Sequence, residues 1–184
     1  RGGYVGTVLV DNDVINRLKV VVKKRVVRFG GESRPSSILV VSKEEDRGWE
    51  EAKRRIADQV SKEKRFKIYL ATPAIFGNGS ISRWIPKWLN EQTLEGCFLE
   101  DGPRVKLVGA CMGKRIGISG WDYKKGHVKS MYFGVPASSV FYFELKEEVS
   151  VREVHEKIIN QLEANNISDV MSSLGFGTAF VGVW

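Results

Sequence analysis

Cysteine and histidine are nearly absent from this chain: two of each occur in 184 residues. Cys97 and Cys111 have no companions at metal-ligand spacing. Two cysteines are too few for a disulfide framework, so a reducing, cytoplasmic compartment is expected. His127 and His155 lie far apart and neither sits in a recognisable motif, which leaves acid–base or nucleophilic catalysis without an anchor. No HExxH, GxSxG, Walker or zinc spacing is present, so no catalytic residue, metal or cofactor is expected. Asp11-Asn12-Asp13 lacks the glycine and distal glutamate of a calcium loop and reads as a turn. There is no apolar run long enough to span a membrane and no basic segment leading into an apolar one, so neither an anchor nor a signal peptide is expected. The chain opens on Arg1-Gly2-Gly3 without Met, as a piece of a longer protein would.

What is plentiful is apolar content and positive charge. At 42% apolar the chain can bury the core of one ordinary domain. A formal charge of +7 and a pI near 9.4 attract polyanions, of which nucleic acid is the commonest. The same charge also suits the solvated surface of a protein from a hot environment, since Lys, Arg and Glu are abundant and Gln is scarce. Charge alone leaves both readings open.

Residues 4–10 are short and β-branched and lead into the Asp11 turn, a strand pattern. The valine-rich stretch 18–28 reads as a second strand with a basic flank, and 37–42 (SILVVS) as a buried one. Between them, the paired glycines and Pro35 of 28–35 predict a break in regular structure. Across 45–60 the period changes: Trp49, Ala52, Ile56 and Val60 form an apolar stripe, with Lys53, Arg54, Arg55 and Asp58 on the other face, which predicts an amphipathic helix. Strands are expected over 65–71, 105–110, 114–118, 140–145 and 179–184, and a basic loop over 121–129. Ser150 with Glu153 forms a capping box that opens a helix bearing Val151, Val154, Ile158 and Leu162 on one face. The order predicts an α+β, ferredoxin-like (RRM-like) domain: an antiparallel sheet with helices on one face and a glycine-rich loop near the C-terminus.

Residues 73–103 read as an irregular insertion, and such loops usually carry function. Trp84 and Trp88 in it either pack the segment down or meet a protein partner. Near the C-terminus, Gly175, Phe176, Gly177 and Thr178 form a loop whose glycines either make a tight turn or let backbone N–H groups approach phosphate, with Phe176 placed to stack on a base. Gly30 and Gly31 either turn the chain or present Arg34, whose fork matches phosphate. Lys114, Arg115, Lys124, Lys125 and Lys129 add positive charge that is either a solvated face or a backbone-binding patch.

Five segments in register, RFGGESR (28–34), LATPAIFGNG (70–79), ISGWD (118–122), VPASSVFYFE (135–144) and GFGTAFVG (175–182), resemble the RAMP superfamily of CRISPR effector subunits, in particular the third subunit of the Cmr (type III-B) complex. The chain departs from that pattern at Ser138, where glycine is expected, which puts the shape of that turn in question. The resemblance implies a subunit of two ferredoxin-like domains, of which this chain is the C-terminal one. It implies a non-catalytic grip on the repeat-derived 5′ tag of CRISPR RNA through the glycine loops, and docking on the large polymerase-like subunit and on a neighbouring backbone RAMP subunit. A RAMP endoribonuclease and a protein–protein scaffold without RNA contact are the alternatives.

Overall fold

In the computed structural model the described residues are 27–29, 34–36, 47–77 and 83–184, and they fall into two units divided at residue 46. In the first unit, β1 (Val27–Phe29) pairs antiparallel with β2 (Arg34–Ser36), so that Phe29 opposes Arg34 and Arg28 opposes Pro35. A ladder was not expected this close to the glycines. It forms because a two-stranded ribbon has open edges, where a proline lacking its N–H costs nothing. Gly30, Gly31, the strands expected at 4–10 and 37–42 and most of 18–28 lie outside the described residues.

The second unit begins with α1 (Arg47–Glu63), followed by β3 (Arg65–Leu70), β4 (Glu95–Cys97) and β5 (Arg104–Cys111). A ribbon then follows, built from β6 (Ile116–Ile118), β7 (Trp121–Asp122), β8 (His127–Val128) and β9 (Tyr132–Gly134). The chain closes with β10 (Val140–Leu145), a helix α2 over 151–165 and β11 (Ala179–Gly182). The main sheet runs β11-β3-β10-β5-β4, antiparallel at every pairing. The fold is α+β, as expected.

Alternation decides which face is buried. Phe66, Ile68 and Leu70 of β3, Phe141, Phe143 and Leu145 of β10, and Val105 and Leu107 of β5 all point to one side. There they meet Ala57 and Val60 of α1 and Val154, Ile158 and Leu162 of α2. Phe76, Ile85, Leu89 and Phe98 of the 73–103 segment fill the rest of this layer, with Trp88 and Phe98 ring centroids 5.3 Å apart. The segment is therefore half of the core's roof. It is also not wholly irregular, since β4 lies within it and extends the sheet.

Lys53 departs from its expected place. It is only 5% exposed and belongs to the buried stripe of α1. Its ammonium lies 2.6 Å from Glu50 and 3.2 Å from Glu163 of α2, while Trp49 donates to the same Glu163 carboxylate at 2.7 Å. Burial alone would push the Lys53 pKa down; hydrogen bonds to Glu50 and Glu163 outweigh it and leave the pKa raised. Counting lysine as polar misplaces it, because a long stem can cross an apolar seam to reach a carboxylate on the next helix. The capping box forms as expected: Ser150 Oγ accepts from Glu153 N–H and the Glu153 carboxylate accepts from Ser150 N–H at 3.1 Å. The middle of α2, His155–Asn160, is wound as a π-helix.

Candidate nucleic-acid interface

Residues 71–77 follow β3 without continuing it, yet their backbone is bound on two sides. Ser138 N–H donates to Leu70 O at 2.7 Å, and Ala74 and Val135 exchange both bonds at 3.0 and 2.8 Å. On the other side Ala71 N–H donates to Thr178 O at 2.9 Å, Gly177 N–H to Pro73 O at 2.8 Å, and Ile75 N–H to Ser168 Oγ at 2.9 Å. Three segments distant in sequence, 70–77, 135–139 and 175–178, thus meet at one end of the sheet. Ser138 holds φ +67°, the left-handed conformation that glycine adopts most readily, so the turn keeps a glycine's shape without the glycine.

The loop at 175–178 spends most of its backbone donors on neighbouring segments of the same chain. Gly175 N–H bonds Ser172 O at 2.9 Å, Gly177 N–H bonds Pro73 O, and Thr178 N–H bonds Thr72 Oγ1 at 2.9 Å. The geometry therefore differs from a cradle of free N–H groups. Gly177 is buried at φ +77°, and a Cβ there would stand 2.3 Å from Ser168 N, so its close approach is to this chain's own backbone. Gly175, at φ +85°, is exposed with open space beside it, and Phe176 and Thr178 are half-buried.

The ribbon leaves the same end of the sheet. β6 pairs with β9 and β7 with β8, so the expected basic loop at 121–129 is in fact a hairpin tip. Asp122 shapes that tip: its Oδ1 accepts from Lys124 and Lys125 N–H, each at 3.0 Å, and Gly126 turns the chain at φ +68°. Lys114, Arg115, Lys124, Lys125 and Lys129 are all exposed, and among the described residues the four lysines stand in no ion pair. Elsewhere cations are tied: Lys62 to Asp58, Arg83 to Glu91, Lys87 to Glu100, Arg152 to Glu156. Trp121, Val128, Met131 and Phe133 of the ribbon are exposed, and Tyr123 is 91% exposed.

A family model described as CRISPR-associated protein (Cas_Cmr3) matches residues 7–184. The chain belongs to the Cmr3 family. It is accordingly a CRISPR-associated subunit of the multi-subunit Cmr (type III-B) complex. No curated protein matches it.

On this Cmr3-family chain the candidate residues fall into separate groups. The loop and the root of the ribbon are joined through 71–77, whereas Lys124 and Lys125 stand at the ribbon's far tip. Of the first glycine segment only the backbone of Arg34 is described. Trp84 and Trp88 are half-buried against the core, and Ile75, Phe76, Ile85 and Leu89 beside them are buried, so the apolar content of the insertion is already covered. His127 sits at the ribbon tip with Nδ1 2.8 Å from Val128 O, and His155 lies in α2 beside Asn160 at 3.3 Å. No helix among the described residues is long and apolar enough to cross a membrane, and no cluster of His, Cys, Asp or Glu among them could hold a metal.

Asp169 ties the insertion to the loop region. Its Oδ2 accepts from Gly77 N–H at 2.8 Å and Lys87 N–H at 3.0 Å. Burial pushes its carboxyl pKa up, opposed by those two N–H groups and by Lys87 and Arg83. The sequence signal for this tie was a lone acid in a loop, which does not stand out without the fold.

Proposed function

We propose that this subunit holds single-stranded RNA, the repeat-derived 5′ tag of CRISPR RNA, within the Cmr complex and carries no catalytic residue of its own. The observation that supports it most is the ribbon: four exposed lysines with no acidic partner among the described residues, interleaved with exposed aromatic and apolar side chains. Exposed ammonium groups without an ion pair among the described residues are positioned to neutralise a phosphate backbone, and rings between them can stack on bases. The loop at 175–178 contributes through the open surface of Gly175 and the half-buried Phe176 rather than through a nest of N–H groups. The strand order β11-β3-β10-β5 supports a ferredoxin-like arrangement, in which α1 precedes β3 and the insertion takes the crossover from β3 to β5. Docking on the large polymerase-like subunit and on a backbone RAMP subunit belongs to the same reading, supported by membership of a multi-subunit complex; the two free cysteines support a reducing, cytoplasmic location.

The test is fluorescence anisotropy of a tag-length RNA with the intact subunit at several salt concentrations. Replacing Lys114, Lys124, Lys125 and Lys129 by Ala should weaken binding and flatten the log K against log salt plot by roughly 0.7 per lysine that contacts phosphate. An unchanged slope and affinity in the folded variant would assign the ribbon to a protein partner instead. Metal-independent cutting of repeat RNA that is lost in His127→Ala would favour the endoribonuclease.

A further inference from the structure

One face of the main sheet is roofed by helices and the insertion; among the described residues of the second unit, no helix covers the other. β3 shows why: Phe66, Ile68 and Leu70 point inward, which turns Arg65, Lys67 and Tyr69 outward. Cross-strand register extends this outward face. Tyr69 stands between Phe180 and Val140, and Lys67 stands between Gly182 and Tyr142, with Gly109 beyond. Tyr69 and Phe180 are each 43% exposed.

The face is ordered rather than merely open. Trp184 donates its ring N–H to Phe66 O at 3.0 Å and lies edge-on to Tyr142, with ring centroids 5.2 Å apart. The Arg65 guanidinium sits 5.2 Å from the centre of the Trp184 ring, a cation–π distance, and also bridges to Glu144 at 3.3 Å. Gly182 and Gly109, without side chains, flank the Lys67–Tyr142 pair, and a Cβ on Gly109 would lie 3.8 Å from Tyr142 Cδ2. The stem of Lys67 runs along Gly182, where a Cβ would lie 3.3 Å from Lys67 Cε. Lys67 itself has no acidic partner among the described residues, whereas Arg65 and Lys106 face Glu144 and Glu95.

From this we infer that the outward sheet face, centred on Lys67, Tyr69 and Tyr142, is a second single-stranded RNA surface, separate from the ribbon. Three features decide the occupant. The strands β3, β10 and β5 are interior to the sheet, so their backbone groups are already paired and no incoming peptide can add a ladder here. What remains for recognition is flat rings and an unpaired ammonium, which match bases and phosphate. The exposed Tyr69 ring offers a stacking face, and stacking of this kind tolerates any base. The inference takes its ligand from the RNA-holding reading above but not its location.

The experiment uses the intact subunit and a fluorescent oligouridylate of about 12 nucleotides, within the range one such platform accommodates. Tyr69→Ala with Tyr142→Ala should lower affinity about five- to a hundredfold while leaving the salt slope unchanged, since a ring releases no counterions. Tyr69→Phe with Tyr142→Phe should retain binding. Lys67→Gln should flatten the slope by roughly 0.7. Ultraviolet cross-linking should join uridine to one of these tyrosines. Wild-type affinity in the folded double-alanine variant overturns the inference. So does a variant that binds RNA normally but fails to join the complex, which would make the face a protein dock. If the ribbon variant loses affinity and the sheet variant does not, only this inference falls; if the wild-type chain binds no RNA, the proposed function falls with it.

Discussion

The helical layer and the ribbon use the same residue types to opposite ends. In the layer formed by α1, α2 and the insertion, charged groups close on each other: Lys53 on Glu50 and Glu163, Arg83 on Glu91, Lys87 on Glu100. Its tryptophans turn inward, Trp88 against Phe98 and Phe143. In the ribbon the lysines stand in no ion pair among the described residues, and Trp121 and Tyr123 are exposed. The contrast separates residues that build the fold from residues available to something else. The presence of lysine or tryptophan alone cannot draw that line, since both regions contain both.

The largest effect is expected where a ligand-like motif proves to belong to the fold. Gly177→Val puts a branched side chain at a left-handed residue and into the Ser168 backbone. Overpacking and the backbone penalty together should cost about 2–5 kcal/mol, read as a lower melting temperature and denaturant midpoint. A variant as stable as wild type would show that the loop has room. Trp88→Ala should come next, at about 2–4 kcal/mol, because it empties volume between Phe98 and Phe143. If that variant instead melts normally and fails to assemble, Trp88 belongs with the ribbon side of the comparison.

The Lys53 seam sharpens the contrast by pH. A raised ammonium pKa means that the folded state holds its proton more tightly than the unfolded chain does. The stability this contributes is complete below the ordinary lysine value of 10.5 and is lost as pH rises through the raised value. From about pH 10.5 upward, melting temperatures should therefore fall more steeply for wild type than for Lys53→Met, with parallel curves below. Glu50 behaves oppositely: its hydrogen bond to Lys53 lowers its pKa, so its contribution is present above 4.5 and fades in acid. The smallest effect on stability belongs to the ribbon. Lys124→Ala with Lys125→Ala should change unfolding by no more than about 0.5 kcal/mol, since exposed unpaired charges hold nothing in place. A clear loss of stability would mean that the tip packs on something.

Much of the fold was legible because burial imposes a period. The stripes of β3, β10 and α2, the Ser150–Glu153 cap and the antiparallel α+β class follow from alternation and spacing. Lys53 was misplaced because periodicity treats every lysine as solvated and cannot see a carboxylate 110 positions away. The insertion looked irregular because Phe76, Ile85, Leu89 and Phe98 follow no helical or strand period, although all four are core. For the candidate interface, the motif pieces at 70–79, 135–144 and 175–182 were visible one by one. Their convergence was not, because it runs through backbone hydrogen bonds that leave no mark on side-chain identity. Gly177 shows the same blindness from the other side: the sequence marks that a backbone approaches something closely, and not what it approaches.

The seven residues after β3 have a mechanical meaning. Val135 at the root of the ribbon and Gly177 of the loop are bonded to Ala74 and Pro73, adjacent positions of one short backbone stretch. A tug on the ribbon is thus passed to the loop through main-chain bonds roughly 3 Å long, with no slack side chain between them. Ribbon root and loop share one anchor, so neither can shift far from 73–74 without breaking a main-chain hydrogen bond.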